Sequence, residues 1–307
     1  MSNIYWLASY PKSGNTWLRT FIQNVIEDGE KPVHINDLHT GAIASSRYWL
    51  DETLGFDTAD LHADEIDALR PTVYNWGGFD DELDASPNEA LYHKVHDAYH
   101  YVAGQPLLGT KGIGGALYIL RNPLDVAPSL ANHYQCSIDH AIELMGQHQH
   151  CMARSTKKLT SQVRQQLFTW SEHVLSWIEA PSLARLVIRY EEMLYQPLPT
   201  FTRICQFLQL PSDPARVQKA ITFSDFKELT RQENQEGFNE CPSQTPKFFR
   251  QGKSGSWQQS LTPQQVTQII HDHHDVMQRF GYLDTQGQPL VIPTDICEHI
   301  VQNPHAL

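Results

Sequence analysis

The chain has 307 residues, 40% of them hydrophobic and 19% charged, a composition that supplies a sizeable buried core, argues against disorder and suits one large domain spanning residues 1–307. Its formal net charge of -12 argues against a nucleic acid or an anionic membrane surface as the main partner, because both need a broad basic face; any anion site has to be local. No apolar run approaches the ~20 residues needed to span a bilayer, and Cys136, Cys151, Cys205, Cys241 and Cys297 form no paired spacing, so they read as reduced thiols used in packing.

Met1-Ser2-Asn3 leads straight into an apolar run, without the basic and long apolar regions of a signal peptide, and the expectation is a cytoplasmic protein. Ile4 to Ala8 reads as a strand, Tyr10-Pro11-Lys12-Ser13-Gly14-Asn15 as a turn, and the spacing of Trp17, Leu18, Phe21, Ile22 and Val25 as a helix. Backbone amides around Ser13 to Thr16 would then point out of the positive end of that helix, where an anion is stabilised. Lys12 adds positive charge, Gly14 lets the backbone approach closely, and Ser13 and Thr16 offer hydroxyls. No glycine precedes Lys12 as in G-x-x-x-x-G-K-[ST], so this is not the common nucleotide-triphosphatase loop. Alone, it is also compatible with an ordinary strand-to-helix turn carrying a surface lysine.

Residues 34 to 88 resist a periodic reading and suggest a lid or binding loop. Ala90 to Val95 is the next strand; it sets Lys94 and His96 on one face and Val95 on the other. Ala116 to Leu120 is a strand that presents Arg121 at its C-terminal end, the edge where parallel sheets bind ligands. Pro123 opens a helix, Leu124 to Tyr134, that carries Ser129, with Pro128 expected to kink it beside that serine. Further helices are predicted over Ser161 to Ile178, Pro199 to Leu208 and Pro263 to Phe280, and a strand over Leu183 to Ile188. Gln232 to Ser260, rich in Gln, Gly and Ser, is again irregular. Near-continuous apolar strands imply burial on both faces, hence a three-layer α/β/α fold with a mostly parallel central sheet. His148-Gln149-His150-Cys151 and His271-Asp272-His273-His274 lack a complete four-ligand set, so no metal is expected.

Tyr10-Pro11-Lys12-Ser13-Gly14-Asn15-Thr16-Trp17 closely resembles the 5'-phosphosulfate loop of the sulfotransferases that use 3'-phosphoadenosine-5'-phosphosulfate (PAPS), of the soluble, bacterial-like type. The resemblance implies a P-loop-like fold in which Lys12, Ser13 and Thr16 hold the 5'-phosphosulfate within the Gly14-Asn15 turn and Trp17 lies near the adenine. Arg121 and Ser129 are similar to the family's 3'-phosphate pair, in a segment resembling R-[ND]-P-x-D-V. Phe249-Arg250-Gln251-Gly252-Lys253-Ser254-Gly255-Ser256-Trp257 resembles the R-K-G-x-x-G-D-W loop that closes over the 3'-phosphate and adenosine, with Gln251 standing for lysine and Ser256 for aspartate. Tyr190 and Phe226 resemble adenine-side residues. Lys94-Val95-His96 resembles the family's K-[TS]-H strand, whose histidine is the general base, with Val95 in place of the hydroxyl residue. The matches extend from residue 4 to about 282.

This resemblance implies transfer of a sulfuryl group from PAPS, leaving 3'-phosphoadenosine-5'-phosphate (PAP), to a hydroxyl or amine of a small or medium-sized acceptor. An acceptor hydroxyl is a poor nucleophile, and an imidazole with an ordinary pKa near ~6.5 can take its proton while Lys12 and Lys94 offset charge on the transferring group and the departing phosphate. Tyr48, Trp49, Trp76 and Phe79 either line the acceptor pocket or pack in the core. A homo-oligomer is compatible with this reading. The alternatives are a P-loop kinase or related phosphotransferase, which would need Mg²⁺, and an inactive nucleotide-binding scaffold.

Overall fold

A computed structural model describes residues 3–75, 90–154, 159–241, 247–292 and 300–301; Trp76, Phe79 and Cys297 lie outside the described residues. In chain order the elements are β1 (Asn3–Ser9), α1 (Asn15–Glu27), α2 (Arg47–Leu54), α3 (Ala63–Asn75), β2 (Ala90–Val95), β3 (Tyr101–Val102), β4 (Gln105–Pro106), β5 (Ile113–Leu120), α4 (Pro123–Tyr134) and α5 (Ile138–Met145). There follow β6 (Cys151–Met152), β7 (Gln165–Gln166), α6 (Trp170–Ile178), β8 (Arg185–Arg189), α7 (Tyr190–Tyr195), α8 (Pro197–Phe207), α9 (Pro214–Phe223), α10 (Phe226–Glu236), α11 (Trp257–Ser260), α12 (Pro263–Arg279) and β9 (Ile300–Val301).

The main sheet has the order β2-β1-β5-β8-β9. Its first four strands are parallel, and β9 pairs antiparallel with β8 at the edge. Alternation along each apolar strand feeds two cores at once. Ile4, Trp6 and Ala8 of β1 and Ala116, Tyr118 and Leu120 of β5 face the core made with α3, α4, α6 and α12. Their neighbours Tyr5, Leu7, Leu117 and Ile119 face the core made with α1, α8 and α9. Burial on both faces is what the apolar runs require, and it gives the three-layer α/β/α architecture. Among the described residues, no helix is long and apolar enough to cross a membrane.

The predicted helix over Ser161 to Ile178 is corrected at its start. Val163, Leu167 and Trp170 are all buried at helix-like spacing, but residues 159–169 are irregular and include β7, which pairs with β6. Thr169 then caps α6 with a reciprocal capping box through Glu172, so the helix starts at Trp170. The stretch from 34 to 88 is also less irregular than expected, since it contains α2 and α3. Likewise α10 and α11 occupy the two ends of the Gln232–Ser260 stretch.

Candidate active site

Because β1, β2, β5 and β8 run in the same direction, their C-terminal ends meet at one edge, and each end delivers a different polar group. A cavity of about 930 Å³ opens there. Lys12, Gly14, Asn15, Thr16, Trp17, Lys94, His96, Arg121, Ser129, Tyr190, Phe226, Arg250, Gln251 and Gly252 all border it. Ser13 is fully buried in the loop behind them.

The loop after β1 is held in an unusual backbone shape. Lys12 has φ 72 and Gly14 has φ 103, and a Cβ on Gly14 would sit 2.7 Å from the Tyr190 ring. Glycine is therefore required both for the left-handed turn and for the close approach of Tyr190. Asn15 turns its side chain back on the strand, with Nδ2 donating to the Leu7 carbonyl at 2.8 Å and to Ser9 Oγ at 3.2 Å. It fastens the loop to β1. The first amides of α1 have no acceptor within the helix.

Arg121, at the end of β5, is clamped rather than free. Nη1 donates to the Lys12 carbonyl at 2.9 Å, Nη2 to the Lys253 carbonyl at 3.2 Å, and the guanidinium lies 4.4 Å from the Tyr190 ring centroid. It thus ties the first loop to the C-terminal loop. Its Nε, together with Ser13 Oγ and Trp17 Nε1, is a buried donor without a protein acceptor. Orphaned donors of this kind around a positive helix end fit phosphate and sulfate oxygens.

The loop from 247 to 256 is fastened by Asp125, in the first turn of α4. Its carboxylate accepts from the Gly255 amide at 2.7 Å, Ser256 Oγ at 2.9 Å and the Trp257 amide at 3.0 Å. Gly252, at φ 59, lies flat on Phe226, whose ring a Cβ would meet at 2.3 Å. Arg250 and Gln251 are exposed on this loop. Pro128 lies inside α4 without ending the helix, and it borders the cavity next to Ser129.

His96 lies just past β2. Its Nδ1 is 2.8 Å from the Ser9 carbonyl, which can only accept, so Nδ1 carries the proton and Nε2 is the basic nitrogen. Buried His173 donates from Nε2 to the His96 carbonyl at 3.0 Å and is itself placed by Tyr118 through Nδ1 at 2.8 Å. Burial, reinforced by Lys94, holds the His96 imidazole well below its ordinary pKa, so it is neutral at pH 7.

Cationic groups crowd the same wall. Lys12 is half-buried with Nζ 3.8 Å from the centroid of Phe248. Burial, then the charges of Lys94 and Arg121, bring it down to about 7. Lys94 Nζ is paired with Glu240 Oε2 at 2.8 Å, and Glu240 Oε1 with buried Arg19 at 2.6 Å. His133, one turn beyond Ser129, also borders the cavity and is brought down to about 4 by burial and by Lys12 and Lys94.

Sequence reasoning missed Arg19, Asp125, His133, His173 and Glu240. Asp125 carried a signal, its place in R-N-P-L-D-V, while Glu240 carried none. Of the aromatics read as either pocket lining or core, Trp49 takes the core alternative, stacked on Tyr74 with centroids 5.5 Å apart, and Tyr48 is 69% exposed; neither borders the cavity. Leu38, Ile43, Met152 and Gln162 border it instead. Among the described residues, no group of three or more His, Cys, Asp or Glu side chains converges as a metal site would.

Against known proteins, a family model described as sulfotransferase domain matches residues 116–281. Flavonol 3-sulfotransferase of Flaveria bidentis is 23% identical over 285 residues, covering 87% of this chain and 79% of that protein. Sulfotransferase 2A6 of Rattus norvegicus is 22% identical over 268 residues, covering 85% of this chain and 79% of that protein. Among solved structures, mouse sulfotransferase SULT7A1 complexed with PAP superposes with a TM-score of 0.54 at 21% identity, covering 93% of this chain and 86% of that one. Retinol dehydratase in complex with androsterone and PAP gives 0.56 at 18% identity, covering 89% and 80%.

Proposed function

The chain belongs to the sulfotransferase domain family, and from that premise we propose that residues 1–307 act as one domain that transfers the sulfuryl group of PAPS to a hydroxyl-bearing acceptor of small or medium size, with His96 as the general base. The observation that carries this reading is the His96 tautomer. The Ser9 carbonyl occupies Nδ1, which leaves a neutral Nε2 on a residue bordering the cavity that also holds the phosphate-type loop.

PAPS, when bound, supplies an activated sulfuryl group with PAP as the leaving group. The orphaned donor Ser13 Oγ, the amides of the loop and Lys12 suit its 5' end; the orphaned Arg121 Nε, with Ser129 and Arg250, suits the 3'-phosphate. Trp17, Tyr190 and Phe226 offer aromatic surface for the base. His96 Nε2 accepts the acceptor's hydroxyl proton, and Lys12 and Lys94 offset the negative charge that develops beside them. The similar proteins are named for, or seen with, hydroxyl-bearing molecules, a flavonol and androsterone, which supports a hydroxyl-bearing acceptor.

The test joins binding to transfer. Calorimetry is expected to show PAP binding at least about tenfold more tightly than AMP, because charge-assisted bonds to the 3'-phosphate are worth about 1.5 to 3 kcal/mol each. Labelled PAPS is then offered with a panel of phenols, alcohols, sugars and peptides, to wild type and to His96→Asn. Asparagine keeps a donor for the Ser9 carbonyl but no proton acceptor at the Nε2 position, so PAP affinity should persist while transfer falls roughly 10² to 10⁴-fold. Near-normal turnover by His96→Asn would remove His96 from this role, and tight binding of Mg-ATP would point to a kinase instead.

A further inference from the structure

Lys94 enters the proposed mechanism as a charge on the transferring group, yet its ammonium is already engaged. Glu240, in the segment between α10 and α11, takes Lys94 Nζ on one oxygen at 2.8 Å and Arg19 Nη1 on the other at 2.6 Å. The two cations are not equally fixed. Arg19 is 3% exposed and also donates from Nε to the Thr40 carbonyl at 2.9 Å, whereas Lys94 is a point charge on a flexible four-carbon stem whose side chain, among the described residues, hydrogen-bonds Glu240 alone. Arg19 therefore anchors Glu240, and Lys94 is the partner able to leave. Burial alone would raise the Glu240 carboxyl, but Lys94 and Arg19 outweigh it and bring the group down to about 2, so the carboxylate is ionised throughout the physiological range, while burial lowers the Lys94 ammonium against the pull of Glu240. With both oxygens engaged by basic residues of the chain itself, Glu240 is also poorly suited to recognise a cationic acceptor.

We propose that Glu240 is a positioning residue that holds the Lys94 ammonium while no sulfuryl group is present and competes with the sulfuryl oxygens for it, so that the Lys94–Glu240 pair sets how strongly the pocket prefers PAPS over PAP. The inference rests on the function proposed above. Lys94 exchanges one anionic partner for another when PAPS binds, and regains Glu240 once the sulfuryl group has left. PAP then loses a contact that PAPS had, which favours its release.

The distinguishing quantity is the ratio of the two affinities. A 5'-phosphate and a 5'-phosphosulfate carry similar charge near neutral pH, so a general change in pocket charge moves both affinities alike and cancels in the ratio. Binding of PAPS and of PAP is measured for wild type, Glu240→Gln, Lys94→Met and the double variant, without acceptor. Glu240→Gln removes the competitor and is expected to raise the PAPS-to-PAP preference about tenfold, the scale of one charge-assisted hydrogen bond. Lys94→Met is expected to lower that preference and to abolish the effect of Glu240→Gln in the double variant. Equal changes in both affinities on Glu240→Gln, or the same gain in the absence of the Lys94 ammonium, overturn the proposal. If Glu240→Gln does not fold, Lys94→Met alone decides, since an unchanged preference there refutes it. Wild-type protein that binds neither nucleotide overturns the function reading itself, and this inference with it.

Discussion

Lys12 is the group whose charge ligand binding should change most. Burial, then Lys94 and Arg121, bring its ammonium down to about 7. A phosphate group beside it reverses the sign of that environment and returns the pKa toward its ordinary value near ~10.4. Linkage gives the direction: where the free site is neutral and the bound site protonated, binding takes up a proton and weakens as pH rises. At pH 8 roughly 90% of free sites are neutral, so about 0.9 proton is taken up per PAP bound. The same relation makes the affinity fall roughly fivefold between pH 7 and 8 and about fiftyfold between pH 7 and 9, or ~2.3 kcal/mol. Phosphate ionisation contributes little in this window, because its second pKa near ~6 is already passed. Calorimetry at pH 8 in two buffers of different ionisation enthalpy reads the uptake directly. Lys12→Arg keeps its charge at every pH used, so its uptake should vanish and its pH profile flatten. Wild-type uptake below about 0.2 proton at pH 8, or identical profiles for the two proteins, refutes the reasoning, which rests on Lys12 being largely neutral above pH 7 in the free site.

Gly14→Ala would place a Cβ 2.7 Å from Tyr190 at φ 103; it is expected to lower stability by about 1 to 3 kcal/mol and to weaken PAP at least about tenfold, read by thermal unfolding and calorimetry. Asp125→Ala removes the carboxylate that receives Gly255, Ser256 and Trp257. A loss of about 2 to 4 kcal/mol is expected, with faster hydrogen exchange at the amides of 255 and 257 than in wild type. Unchanged exchange there would mean that other contacts hold the loop.

The sheet and the phosphate-type loop were legible because their causes are local. An apolar run buried on both faces declares a parallel strand, and its end declares a ligand edge; Lys12, His96, Arg121 and Tyr190 each follow such an end. The first halves of the site therefore appear in the sequence beside the strands that place them. Contacts across the chain leave no comparable trace. Glu240 meets Arg19 across 221 positions and Lys94 across 146, and no period or composition near Glu240 announces either partner. Helix α6 failed for the opposite reason: Val163 and Leu167 have helical spacing, but Phe168, at φ 57, turns the chain before Thr169 caps the helix.

The departures from the family's motifs show how far local reading goes. Val95 replaces a hydroxyl residue in the K-[TS]-H strand, yet it is fully buried in the core on the side opposite Lys94. The substitution therefore exchanges a core contact and leaves the cavity wall unaltered. Ser256 replaces an aspartate, but its hydroxyl donates to the Asp125 carboxylate at 2.9 Å, where a second ionised carboxylate would repel. It serves loop attachment in a way its sequence position alone does not reveal. Gln251 replaces a lysine and remains exposed on the cavity rim, so it is the departure that removes a positive charge from the site itself. Of the three, it is the one whose cost should fall on nucleotide affinity rather than on folding, because an exposed side chain gives up ligand contact without opening a void in the core.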